Sequence, residues 1–136
     1  MSRLSLNQKF GYLFGAIYLL VGLVGFAVTG TADFAVKHTG KNLIIFQLNP
    51  LHNVVHIAIG LALLLAARNA ISSRAVNATI GSVYLLVGIV GLFVATSTNS
   101  LNVLALNQPD NGLHLATAIL ALGIVMMEKP SMSPAA

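Results

Sequence analysis

"GAIYLLVGLVGF", Gly15–Phe26, returns as "GSVYLLVGIVGL", Gly81–Leu92, with eight of twelve positions identical. A second pair sits further on. "NPLHNVVH", Asn49–His56, and "NQPDNGLH", Asn107–His114, share the pattern N-x-x-[H/D]-N-x-x-H, each ahead of an apolar run. The first pair is offset by 66 residues and the second by 58, so the chain reads as one two-helix unit written twice, with an outer loop eight residues shorter in the second copy. Repeats of two spans each enter the membrane in the same direction, which relates them by an axis along the membrane normal. The expected fold is all-α: an integral membrane four-helix bundle of two parallel two-helix repeats, about 8–68 and about 75–127, in a single transmembrane domain, with a disordered tail at 128–136.

Composition supports a membrane setting. Of 136 residues 57% are hydrophobic and only 7% charged, and mean hydropathy is +0.87. An ordinary soluble domain carries about 25% charge. With no cysteine, disulfides, thiolate metal sites and thiol catalysis are excluded. The net charge of +4 comes from seven dispersed cations and forms no nucleic-acid patch.

Crossing the hydrocarbon core takes about 20 apolar residues. Four stretches qualify: roughly Phe10–Thr29, Pro50–Ala67, Asn77–Ala95 and Pro109–Met127. Arg3, Lys9, Arg68, Arg74 and Lys129 fall on the terminal side, against Lys37 and Lys41 with Asp33 on the other. The positive-inside rule therefore sets both termini in the cytoplasm. Arg3 and Lys9 ahead of an apolar core also suit a signal peptide, but a removable segment would not be copied as an internal span. The expected location is a bacterial cytoplasmic (inner) membrane, with multiple passes.

Gly15, Tyr18, Gly22 and Gly25 lie on one helical face, and Gly81, Tyr84, Gly88 and Gly91 repeat it. Such glycines let helix backbones approach closely in lipid. Both tyrosine hydroxyls sit mid-span and need partners, which points them at the polar residues of spans two and four. Asn49 and Asn107 read as helix N-caps, with proline close behind. Asp110 suits the first turn and can bond back to its cap, and His52 stands at the equivalent place. Proline is shifted by one position between copies, so the two helix starts need not superimpose.

Capping does not account for Asn53, Asn111, His56 and His114. His56 and His114 lie seven residues past their caps, about 10 Å deeper. Polar groups there must face inward, and intramembrane histidines point to function. Three readings follow. His56, His114, Asn53 and Asn111 form a hydrogen-bond lock between the halves, completed by the two tyrosines. Alternatively, His56 and His114 hold a cofactor, as axial ligands of a haem or chlorophyll-type pigment, or His52, His56, His114 and Asp110 bind a divalent metal such as zinc or copper. A proton or small-solute path is the third. No phosphate loop, serine elbow or carboxylate pair is present, so no enzyme is expected. Partners are membrane lipid, other membrane proteins or further copies of the chain, and no nucleic acid. The loop carrying Phe34, Lys37, His38 and Lys41 suits the membrane interface or a docking partner, with His38 solvated.

"LNPLHNVVH", "LNQPDNGLH" and "YLLVGLVGF" together resemble DUF4383, a family of small bacterial four-span membrane proteins of unknown function. The likeness covers roughly residues 8–127. It implies a four-helix bundle in a bacterial membrane and little chemistry. The first reading is thus a non-enzymatic accessory or assembly component with an inward polar cluster near the outer face.

Overall fold

The computed structural model describes residues 3–36, 41–95 and 99–128. Lys37, His38, Lys129 and the tail beyond Glu128 lie outside that set. Four helices run α1 (Leu6–Thr29), α2 (Pro50–Ala66), α3 (Ala70–Val94) and α4 (Gln108–Met127). A two-residue-stranded antiparallel hairpin, β1 (Asn42–Leu43) and β2 (Phe46–Gln47), stands in the loop between α1 and α2.

Helix ends follow local chemistry. Ser5 and Gln8 form a reciprocal capping box for α1. Asn69 accepts from the amides of Ile71 and Ser72 and starts α3 at Ala70, well before the apolar body begins near Asn77. Apolar length locates the lipid-facing part of a helix, not its solvated first turns. Asn49 and Asn107 cap α2 and α4 with nearly the same backbone angles, φ −132° and −125°. The shifted proline therefore leaves the two helix starts alike: Pro50 is the first residue of α2, and Pro109 the second of α4.

Among the described residues three helices are long and apolar enough to cross a membrane: α1, α3 and α4. The expected fourth, α2, has 17 residues, about 26 Å at 1.5 Å each, against a hydrocarbon core of about 30 Å. In the three longer helices no more than 33% of the apolar window is buried inside the protein. Leu13, Leu20, Leu86 and Ile119 all project outward. An apolar exterior on helices of this length points to a multi-pass membrane protein.

Packing is strongest within each half, α1 on α2 and α3 on α4. The close fit is glycine-made, and it repeats contact by contact. A methyl group added at Gly22 would press on Ile57, and one at Gly88 on Leu115; added at Gly15 and Gly81 it would press on Leu64 and Leu122. Each second partner is the first moved on by 58 residues. Between the halves lies a core of Phe10, Tyr18, Leu63, Ile80, Tyr84 and Ala118 with Ala121.

Both bundle ends carry polar clasps. At the end holding residues 5–8, Asn77 Nδ2 donates to the Asn7 carbonyl and to Asn7 Oδ1, each at 3.0 Å. Asn7 in turn donates to Glu128, and Arg74 donates to the Glu128 carbonyl. Glu128, the first residue of the expected tail, thus joins α4 to the start of α1. Burial would raise its carboxyl, but hydrogen bonds from the Asn7 side chain, the Asn7 and Leu6 amides and Ser5 outweigh this and hold it below the usual carboxylate range. At the opposite end Asn49 Nδ2 donates to the Val103 carbonyl at 2.7 Å, and Asn107 Nδ2 donates to the Ile45 carbonyl at 2.8 Å. Ile45 and Val103 are themselves 58 residues apart. Each half's cap asparagine reaches the other half's loop, which is a pseudo-two-fold exchange.

Candidate functional site: a buried histidine–tyrosine cluster

Three histidines converge under the end of the bundle that carries the β1–β2 hairpin. His52 and His56 stand one turn apart on α2, and His114 comes from α4. The Nε2 atoms of His52 and His56 are 3.1 Å apart, and one ring nitrogen from each of the three residues lies within 4.8 Å of the others. All three side chains are buried. Tyr18 and Tyr84 complete the cluster from α1 and α3. Tyr18 packs on His56 at 5.3 Å between ring centroids, Tyr84 on His114 at 4.9 Å, and the two tyrosines on each other at 5.4 Å.

These pairs are again repeat mates, but their hydroxyls differ in what they meet. Tyr18 donates to Thr117 Oγ1 at 2.9 Å. The mate of Thr117 in the first half is Ile59, which lines the same small cavity as Tyr84 and offers no oxygen. Tyr84 Oη accordingly has no well-formed hydrogen bond, and neither do Nδ1 of His56 and His114. The cavity, about 40 Å³, is walled by His52, His56, Tyr84 and His114 with Val55 and Ile59 among its apolar lining. About 10–15 Å³ accommodates one water. An ion with a water fits there; a tetrapyrrole ring between His56 and His114 has no space.

Asparagines expected beside the histidines lie elsewhere. Asn53 donates to Thr29 Oγ1 at 2.9 Å, and Asn111 donates to Gln108 Oε1 at a long 3.5 Å. Their Oδ1 atoms occupy the space a Cβ would take at Gly25 and Gly91. The four residues assigned to one lock are thereby split: asparagines seal α2 on α1 and α4 on α3, while histidines face the centre. The split has a simple cause. At 3.6 residues per turn, positions 52, 53 and 56 spread over about 100° of helix surface, which is wide enough to face two neighbours.

Asp110, placed in the possible metal set, is not part of the three-residue group. It closes a capping box with Asn107, accepting from the Asn107 amide at 3.4 Å while its own amide donates to Asn107 Oδ1 at 3.1 Å. It shares only a separate cavity with His56, about 110 Å³ beneath the β1–β2 hairpin. His52 behaves differently from its mate: its amide bonds to Asn49 Oδ1 at 2.8 Å, as capping requires, and its ring turns to the cluster. A larger cavity, about 260 Å³, lies away from these groups, between α3 and the loop that joins it to α4, with an apolar wall of Leu86, Val90 and Leu101.

The sequence reading passed over Thr117, Thr29 and the Asn7–Asn77–Glu128 clasp. A signal existed for Thr117. It is a hydroxyl on the same face as His114 and the point where the second copy departs from Ile59.

Residues 8–127, which hold both repeats and the histidine–tyrosine cluster, match the family described as a domain of unknown function, DUF4383. The chain belongs to that family. No curated protein and no solved structure matches it. Family membership therefore supports the small helical membrane architecture and assigns no chemistry to the histidines.

Proposed function

We propose that this family member is a non-enzymatic, multi-pass component of a bacterial cytoplasmic membrane, acting as an accessory or assembly partner of other membrane proteins. In this reading α2 is the fourth span, near the lower limit of about 17 residues. The end carrying Arg68, Arg74 and Glu128 is cytoplasmic, and the β1–β2 hairpin faces outward. The two halves form parallel repeats about an axis along the membrane normal.

One observation carries the proposal: the reciprocal donation of Asn49 to Val103 and Asn107 to Ile45. Polar groups at the outer end are directed at the protein itself, and the outward helix faces are apolar. A chain built this way presents contact surface rather than a reactive cleft.

The absence of native cysteine makes topology testable by single-site labelling. Ile45→Cys should react with a membrane-impermeant maleimide in intact cells, and Ser5→Cys only after lysis. The opposite pattern would overturn the orientation. For the accessory role, photo-crosslinkers at exposed Leu20 and Leu86 should yield a discrete adduct with a second membrane protein or a second copy. A chain that crosslinks only to lipid at both positions is not an assembly component.

A further inference from the structure

We propose that His52, His56 and His114 form a buried site for one imidazole-preferring transition-metal ion, zinc or copper, with the fourth position facing Tyr84. This goes beyond the accessory reading and does not depend on it. Zinc–nitrogen bonds of about 2.0–2.1 Å set the ligands of a tetrahedral ion about 3.3 Å apart. His52 Nε2 and His56 Nε2 stand at 3.1 Å, and His114 completes a set within 4.8 Å. The i, i+4 spacing on α2 brings two imidazoles to one ion from a rigid scaffold, and His114 arrives from a second helix whose position is held by the glycine seams. Three protein ligands with one position left open is the arrangement of zinc sites that keep an exchangeable partner. Imidazole also suits copper.

The hydrogen bonding favours an ion over a self-contained lock. A single proton between the two Nε2 atoms would join His52 to His56 but give the nearby ring nitrogen of His114 no share in that bond, whereas one ion takes a lone pair from all three rings. A lock would also satisfy its remaining polar atoms. Here His56 Nδ1 and His114 Nδ1 are buried with no protein partner, and Tyr84 Oη, beside the Tyr18 hydroxyl, makes no well-formed bond. Tyr84 and the three histidines surround the same 40 Å³ cavity. Repeat symmetry would have given Tyr84 a threonine; Ile59 stands there instead, leaving the hydroxyl between Tyr18 and the cavity.

The test loads the full-length chain, purified in mild detergent, with zinc or copper in separate arms and then desalts it for elemental analysis. Retention of close to one ion per chain is expected, with the arm that resists competition by the other ion naming the metal. His56→Gln and His114→Gln should each lower retention at least tenfold with helix content preserved by circular dichroism. His38→Ala, which removes the fourth histidine of the chain, should retain the ion. Cobalt(II) provides a readout independent of the variants: intense tetrahedral bands in the visible are expected on the native protein, shifted by Tyr84→Phe if the phenol is the fourth ligand. A folded native protein holding less than a tenth of an ion per chain in both arms overturns the site. So does retention unchanged in the histidine variants, or lost in His38→Ala. If the glutamine variants fail to fold, six-coordinate, weak cobalt bands on the native protein overturn it equally.

Discussion

In the first half, Asn53 finds Thr29, two histidines share one turn, and a glycine lets α2 approach α1 so closely that a methyl at Gly60 would meet the Leu19 amide nitrogen at 2.5 Å. The second half has Ala95 in place of Thr29, Asp110 in place of His52 and Ala118 in place of Gly60. Its asparagine turns back to Gln108, and its aspartate serves the helix cap. Beside the cluster one substitution runs the other way: Thr117 supplies a hydroxyl where the first half has Ile59. What stayed the same between the copies is the glycine–tyrosine face of α1 and α3. What diverged lies in or beside the polar core. The copies share a scaffold, and the cluster is built from their differences.

Breaking the shared part should cost most. Gly25→Ala and Gly91→Ala both drive a methyl into an asparagine Oδ1, and overpacking of this kind costs about 1–3 kcal/mol. Equal losses are expected in denaturant titrations in detergent micelles, with Asn53→Ala rescuing the first and Asn111→Ala the second. Unequal losses, or no rescue, would show that the two seams are not equivalent.

The exchanged caps come next. Asn49→Ala removes an N-cap worth about 1 kcal/mol and a buried donor with two acceptors, the Val36 and Val103 carbonyls. Asn107→Ala removes the same cap but one outer-loop bond. Asn49→Ala should therefore lower stability by about 2 kcal/mol, and Asn107→Ala by roughly 1. The reverse ranking would contradict the view that the first cap is the tighter clasp.

A smaller effect sharpens the asymmetry at the tyrosines. Thr117→Val should cost about 1 kcal/mol by leaving Tyr18 without its acceptor. Ile59→Thr should recover about 0.5 kcal/mol by giving Tyr84 the partner its mate already has, in line with hydrogen bonds between membrane helices averaging about 0.6. Destabilisation by Ile59→Thr would mean that Tyr84 does not reach position 59.

The smallest expected effect is the pH dependence of the opposite end. The Glu128 carboxyl is held below its ordinary value of 4.5, so its contribution is fully present above that value and is lost as pH falls through the lower folded-state value. Native protein should lose unfolding temperature as pH drops below about 4.5, and Glu128→Gln should show a shallower decline. Matching curves would remove the carboxylate from the clasp.

Much of this was legible because it was written twice. Two copies of a glycine–tyrosine span and of an asparagine–histidine start define the helix pairs, since apolar length, caps and small-residue faces are local properties. His56 and His114 at equal depth on equivalent helices followed from the same repeat. Asn7, Asn77 and Glu128 gave no such sign: they are 70 and 121 residues apart along the chain, and each alone passes for a solvated helix end. Nor did the polar stripe of α2 disclose that Asn53 and His56 part company, because a stripe about 100° wide has two neighbours and periodicity does not say which takes which residue.

The sequence by itself determined four apolar helices, the asparagine caps of α2 and α4, and the pairing into two equivalent halves, because hydrogen bonding along a helix and burial of its apolar face are decided within some twenty residues. Only the tertiary structure decided how the halves meet: asparagine caps exchanged across one end, a carboxylate clasp at the other, and three imidazoles gathered with Tyr84 around one small cavity. Those contacts join residues from different helices, and their geometry depends on how closely glycine seams allow the backbones to approach.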